Sequence, residues 1–260
     1  MKTTLLRPLA ILSASLMLAC AARAEDLATA FKEVQAAPKA ASFGEHATRL
    51  LALLKGAPND VAADALIWIV VNDSNGTDFS EQALAALAKD HGANPKVGAT
   101  FRALGELAPT VNVEKFLRAI VASSPDPELK STATYHLART LKGQFDVLTM
   151  RLQNAKTAVD QEAVEILNGK ELVQKLKTTK PEVLSAEAQK LYEQFIAGGS
   201  EGRSGRRSLS GAAKSELFEL KNLSVGCAAP ETEGEDVDGK KFKLSDHRGK
   251  IVVLFFWGDW

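Results

Sequence analysis

Cysteine is scarce in this sequence: 260 residues contain only Cys20 and Cys227. Two cysteines exclude a disulfide-rich scaffold and a multi-cysteine zinc site. Net charge is also absent, with 32 basic and 32 acidic residues. A general nucleic-acid binder carries a basic excess, so no nucleic-acid partner is expected. Glycine and proline number 18 and 9, too few for collagen or a wholly disordered chain. The four histidines, His46, His91, His136 and His247, are far apart in sequence. None pairs with another at i+4, so no metal site is expected and each reads as an ordinary packed or surface residue. What is present is 45% hydrophobic and 25% charged residues, the mix of an ordinary globular protein of one or two domains.

The N-terminus reads as an export signal over residues 1–24. Lys2 and Arg7 precede an apolar or small stretch from Leu9 to Ala22, and Ala22-Arg23-Ala24 fits a small-x-small cleavage site. The stretch is short for a membrane span, which needs about 20 residues. Cleavage after Ala24 removes Lys2, Arg7 and Arg23 and no acid, leaving a slightly acidic chain. Leu16-Met17-Leu18-Ala19-Cys20 resembles a bacterial lipobox, with Met17 where Leu is usual. Lipidation at Cys20 is therefore the alternative, and it alone would bring the membrane in as a partner. Either route predicts a periplasmic or cell-envelope location.

Residues 25–197 are rich in Ala, Leu, Glu and Lys and predict helices. Phe43, Ala47, Leu50, Leu51 and Leu54 recur at helical spacing. Asp60 to Val71 is apolar nearly all round, which predicts a buried helix. Ser80 is the expected N-cap before Glu81 to Lys89. Helices are further expected over Pro95 to Leu107 and Val113 to Ala122. Another should run from Pro127, behind Asp126, to about Leu141, with Gly143 as its stop. Phe145 to Glu171 and Leu172 to Lys177 read as longer polar helices, and Pro181 starts another that ends near Ala197. Arg139, Lys142 and Arg151 are expected on solvated faces. Val61, Val97 and Leu129 follow similar helix starts and lie 36 and 32 residues apart, near the period of TPR- or HEAT-like helical hairpins. An irregular bundle gives similar spacings. In either form the region suits a spacer or a surface for a protein partner.

Gly198 to Ser208 is dense in Gly, Ser and Arg and reads as a flexible linker, followed by a short helix from Gly211 to Leu223, the two filling residues 198–224. The composition then changes. Asp238-Gly239 predicts a hairpin turn, and Lys240 to Leu244 alternates apolar and basic residues like a half-exposed strand. Ile251 to Trp257 is an unbroken run of strand formers, as in a strand covered on both faces.

Ala229-Pro230, Asp238-Gly239-Lys240, Leu244-Ser245-Asp246, Arg248-Gly249-Lys250 and Ile251 to Trp260 together resemble the opening of the extracytoplasmic TlpA/ResA-like thioredoxins. These belong to the redoxin superfamily, with alkyl hydroperoxide reductase and thiol-specific antioxidant (AhpC/TSA) proteins. The resemblance covers residues 225–260. It implies the first β-hairpin and strand of a truncated α/β thioredoxin-like domain, so that with the helices read over 25–197 the chain is mainly α: an N-terminal helical bundle or TPR/HEAT-like hairpins, then this opening of the redoxin domain. In that family Trp-x-x-Trp is followed at once by Cys-x-x-Cys. Here Trp257-Gly258-Asp259-Trp260 closes the sequence, so the catalytic dithiol is expected just after Trp260, and these four residues flank the active site. The implied activity of the full-length form is thiol–disulfide exchange on protein disulfides, with an external thiol electron donor and no cofactor beyond the dithiol. The chain as it stands is expected to be inactive. A peroxidatic cysteine after Trp260 would call for Pro and Thr or Ser where Leu254 and Gly258 stand, so peroxide reduction is the weaker alternative. A non-catalytic helical interaction module with a degenerate redoxin remnant is another. Cys227 reads as a lone loop residue.

Overall fold

A computed structural model describes residues 27–37, 42–54, 60–199, 203–204 and 207–255. The export segment with Cys20, parts of the Gly/Ser/Arg tract and Trp257 to Trp260 lie outside the described residues. The described chain is helical nearly throughout up to residue 222 and carries a short β-hairpin after it. α1 (27–36) buries Leu27, Ala30, Phe31 and Val34, a single stripe at helical spacing. α2 (Phe43–Leu54) turns Ala47 and Leu50 inward. α3 (Asp60–Asn72) buries apolar residues on nearly every side, as its composition predicts. α4 (Asp78–Asp90) is followed by a 3-10 turn (Pro95–Thr100) that runs into α5 (Phe101–Leu104). α6 (Val111–Ser123) leads to α7 (Pro127–Asp146), whose first turn is capped by the Asp126 carboxylate accepting from the Glu128 and Leu129 amides. α7 passes into a π-helical turn (Val147–Leu152), then α8 (Ala158–Asn168), α9 (Lys170–Lys177), α10 (Pro181–Ala197) and α11 (Leu209–Asn222).

α3, α4, α6, α7, α10 and α11 pack each on the next, so the chain folds back and forth along one continuous core. Phe116 of α6 and Tyr192 and Phe195 of α10 are its largest fully buried side chains. Polar ties cross the same interfaces. Glu114 of α6 is buried, pairs with Lys175 of α9, and accepts from Gln144 of α7 at 2.9 Å and Arg118 at 3.0 Å. Arg118 in turn holds Glu187 of α10 with both carboxylate oxygens, at 2.7 and 3.0 Å. Such a network fixes register more than it adds stability.

The structure departs from the sequence expectations at several points. Ser80 does not cap α4; Thr77 does. Ser80 lies inside the helix and donates its hydroxyl to Asp73 at 2.8 Å. The Asp73 carboxylate also accepts from Thr77 at 2.8 and 2.6 Å, so one buried acid ties the α3–α4 connection. The Pro95 segment starts as a 3-10 turn, and regular helix ends at Leu104. Gly143 does not stop α7. A Cβ there would lie 3.1 Å from Pro109, so the glycine lets helix and loop touch. Phe145 to Glu171 is not one helix: Thr157 restarts the chain with a capping box, and Gly169 at φ +83° separates α8 from α9. Lys142 is not solvated; it is paired to Asp146 and Glu219. The tract after Gly199 is not all loose linker: β1 (Arg203–Ser204) pairs antiparallel with β2 (Arg207–Ser208). Ile251 to Phe255 forms no strand and is exposed, with Ile251 98% and Phe255 83% accessible. A two-sided strand needs sheet neighbours, and the described residues supply none for it.

Candidate functional site

The segment that carried the functional signal is built around one hairpin. β3 (Glu233–Glu235) pairs antiparallel with β4 (Lys241–Lys243), with Gly234 opposite Phe242. The Asp236 amide donates to the Lys240 carbonyl at 3.0 Å, and the Gly239 amide to Asp236 at 2.9 Å. Gly239 takes φ +78°, so the Asp238-Gly239 turn stands where the sequence places it, in a loop one residue longer than the two-residue form. The Asp236 side chain accepts from the amides of Asp238 and Lys240. Gly234 is required by crowding, because a Cβ there would meet the Phe242 ring at 3.0 Å.

The strand then turns through a 3-10 segment (Leu244–His247). Glu231 accepts from the Ser245 amide at 3.0 Å, and that contact with its neighbours holds its carboxyl below the usual range. Asp246 accepts from the Lys243 amide at 2.9 Å. Leu244-Ser245-Asp246 thus closes the hairpin base locally, and its polar residues do structural work there. The chain leaves this base at Lys250 and enters the exposed apolar run.

Cys227 is an exposed free thiol. It sits at the lip of a groove of about 600 Å³ between the end of α7, the start of α10 and the end of α11, near Phe145, Ala186 and Leu220. The active-site-flanking residues Trp257, Gly258, Asp259 and Trp260, and Cys20, lie outside the described residues. Of the cysteines and expected site residues, only Cys227 falls within the described residues. Among the described residues, no group of three or more His, Cys, Asp or Glu could hold a metal ion.

Two arrangements in the helical part were not signalled by sequence. Glu216 of α11 accepts from Tyr192 of α10 and, at 3.3 Å, from Tyr135 of α7. Burial, followed by the Glu216 charge, pushes the Tyr135 hydroxyl up to about 12 and Tyr192 higher still, so both remain protonated donors. Tyr192 and Tyr135 lie 24 and 81 positions before Glu216, on three different helices in all, and no local pattern announces them. Second, His136 is buried on α7 beside Arg139 and Thr140, stacked on Phe101 at 4.9 Å. Only the i, i+3, i+4 spacing of these three residues could have pointed to a shared face.

Comparison with known proteins bears on the C-terminal segment alone. The profile of the AhpC/TSA family matches residues 225–260. The thiol-disulfide oxidoreductase ResA of Bacillus subtilis (strain 168) is 49% identical over 39 residues, 15% of this chain and 22% of that protein. ResA of Geobacillus thermodenitrificans is 45% identical over 38 residues, again 15% and 22%. ResA of Bacillus cereus is 39% identical over 57 residues, 20% of this chain and 33% of that protein. The chain thus spans about a fifth to a third of the length of these curated relatives. No solved structure matches the chain. Residues 225–260 are thus similar to AhpC/TSA-family and ResA sequences, and they follow a helical region that these likenesses leave largely uncovered.

Proposed function

We propose that this chain is the leading part of an exported thiol–disulfide oxidoreductase of the TlpA/ResA-like redoxin type. Residues 1–24 serve as its signal peptide, 25–197 form a helical domain, 198–224 connect, and 225–260 open the redoxin domain. The observation that carries the reading is the identity over residues 225–260 to proteins named as thiol-disulfide oxidoreductases. The hairpin turned at Asp238-Gly239-Lys240 and closed by Leu244-Ser245-Asp246 supports it, because the family resemblance rests in part on those motifs.

The chemistry belongs to a Cys-x-x-Cys pair following Trp260. A helix N-terminus after a central strand lowers a cysteine pKa, and the thiolate is the nucleophile. The first thiolate attacks a substrate disulfide, forms a mixed disulfide and releases one substrate thiolate. The second cysteine attacks the mixed disulfide and releases the other. The enzyme pair is left oxidised, and an external thiol donor returns two electrons to it. Export places this pair in the periplasm or envelope, where protein disulfides are substrates.

Insulin-disulfide reduction tests this reading. The product of the coding sequence extended past Trp260 should reduce insulin and lose that activity when the first cysteine of the pair becomes serine. Chain 1–260 should be no more active than its Cys227→Ser variant. Activity of 1–260 above that control, or a coding sequence with no Cys-x-x-Cys after Trp260, would overturn the assignment.

A further inference from the structure

α7 presents His136, Arg139 and Thr140 on one face, opposite Leu104, Pro109 and Val113, and the two sides enclose a cleft of about 130 Å³. The volume is close to that of apolar protein cavities, of about 150 Å³, that bind benzene, and exceeds the ~30 Å³ of one water several-fold. Two glycines bring the walls together. Gly143 lets α7 meet Pro109, and a Cβ on Gly105 would stand 2.8 Å from the Arg139 guanidinium.

One polar group at this cleft, the Arg139 guanidinium, has no protein partner among the described residues, and the His136 ring forms part of the wall with its unpaired Nε2 closed off from the cleft as well as from water. His136 is only 5% exposed, yet its Nε2 is buried without a hydrogen bond. The Arg139 side chain makes no hydrogen bond or ion pair among the described residues. Burial first, and then the Arg139 charge, push the His136 imidazole down to about 4, so it is neutral at pH 7. A neutral imidazole offers one N–H donor or one acceptor and does not repel a neighbouring apolar body. The free guanidinium at the rim favours an anion with a planar, two-oxygen head.

We infer that the cleft between α7 and the 104–109 connection is a binding site for a small branched aliphatic carboxylate. The carboxylate lies on Arg139, and the hydrocarbon body fills the space between Leu104, Pro109, Val113 and the His136 ring. The same chemistry is presented by a free short-chain acid and by the C-terminal residue of a peptide ending in valine.

The experiment is a titration followed by the His136 ring resonances in NMR, with three probes: isobutyrate, its neutral isostere isobutyramide, and an acetylated tripeptide ending in valine with a free carboxylate. Isobutyrate should shift the His136 signals saturably, and isobutyramide should bind at least about tenfold more weakly, as loss of a charge-assisted contact implies. Arg139→Gln, on an exposed side chain, should keep the thermal midpoint and weaken isobutyrate about tenfold or more, while Arg139→Lys should fall between. Saturation by the tripeptide but not by isobutyrate would assign the site to chain termini and support the shared chemistry. No saturable shift with either carboxylate would overturn the inference and leave ordered water as the occupant. Equal binding of the amide, or unchanged binding in Arg139→Gln, would overturn it as well.

Discussion

Glu114 is a carboxylate that the helical core holds charged. Burial alone would raise its pKa, but hydrogen bonds from Lys175, Gln144 and Arg118 bring it below the ordinary carboxylate value. The folded state therefore binds fewer protons than the unfolded one near pH 4. The stability Glu114 contributes is fully present above its unfolded pKa of about 4.3 and is lost as pH falls through the lower folded value. Glu114→Ala also strands Lys175 and Gln144, and should cost about 3 kcal/mol at pH 7, the low end for breaking a buried pair. Urea unfolding at pH 7 and pH 4 checks both statements: the variant should show a smaller acid loss than the parent. His136 has the same sign with a different window. Its folded pKa of about 4 lies below the ordinary 6.5, so stability is lost as pH falls from 6.5 toward 4. His136→Phe should remove that loss, on the order of 2 kcal/mol between pH 6.5 and 5 for a single depressed histidine. An unchanged pH 6.5-to-5 slope in the variant would show that the imidazole is solvated after all.

At the scale of the element, legibility follows distance in sequence. Asp126-Pro127 and Pro181 mark helix starts because cap and first turn are adjacent residues, and both helices begin where those residues predict. The stop assigned to Gly143 fails because the reason for that glycine is Pro109, on the other side of the α6 segment. Ser80 is misread for a related cause: its partner Asp73 lies seven residues back, and the nearer Thr77 takes the cap. The two glycines of the α7–α9 region should therefore respond differently to alanine. Gly169 has open space around it but sits at φ +83°, ψ 141°, so Gly169→Ala should cost about 1–3 kcal/mol from backbone strain alone. Gly143→Ala would gain up to about 1 kcal/mol of helix propensity. Contact with Pro109 at 3.1 Å should take that gain back, leaving the thermal midpoint unchanged or lower. A midpoint raised by Gly143→Ala would mean that the 105–110 connection yields easily, and would also count against a preformed cleft beside it.

At the scale of the whole molecule, the helical part satisfies itself and the C-terminal segment does not. From α1 to α11 the apolar stripes meet one another in a single core, so helix content and the buried character of α3 are readable from periodicity. The stacking order and the cross-helix ties of Glu114 and Glu216 are not, because they depend on which helices become neighbours. The C-terminal motifs are readable for the opposite reason: they are local turns, and Asp238-Gly239 folds as a hairpin with little help. What those turns cannot supply is a sheet. Ile251, Val253 and Phe255 are 98%, 86% and 83% exposed, and Val252 and Leu254 are also accessible. An apolar patch above about a few hundred Å² on a soluble surface marks a place that another surface covers, and an unpaired run of strand formers associates readily with its own copies. Chain 1–260 is therefore expected to self-associate as its concentration rises, through residues 251–255. Ile251→Lys combined with Val253→Lys should suppress the association in sedimentation velocity while leaving the far-UV helical signal and the unfolding transition of the core unchanged. Association that persists in the double-lysine variant would place the contact on the helical part, and would separate the behaviour of this molecule from the exposed run 251–255.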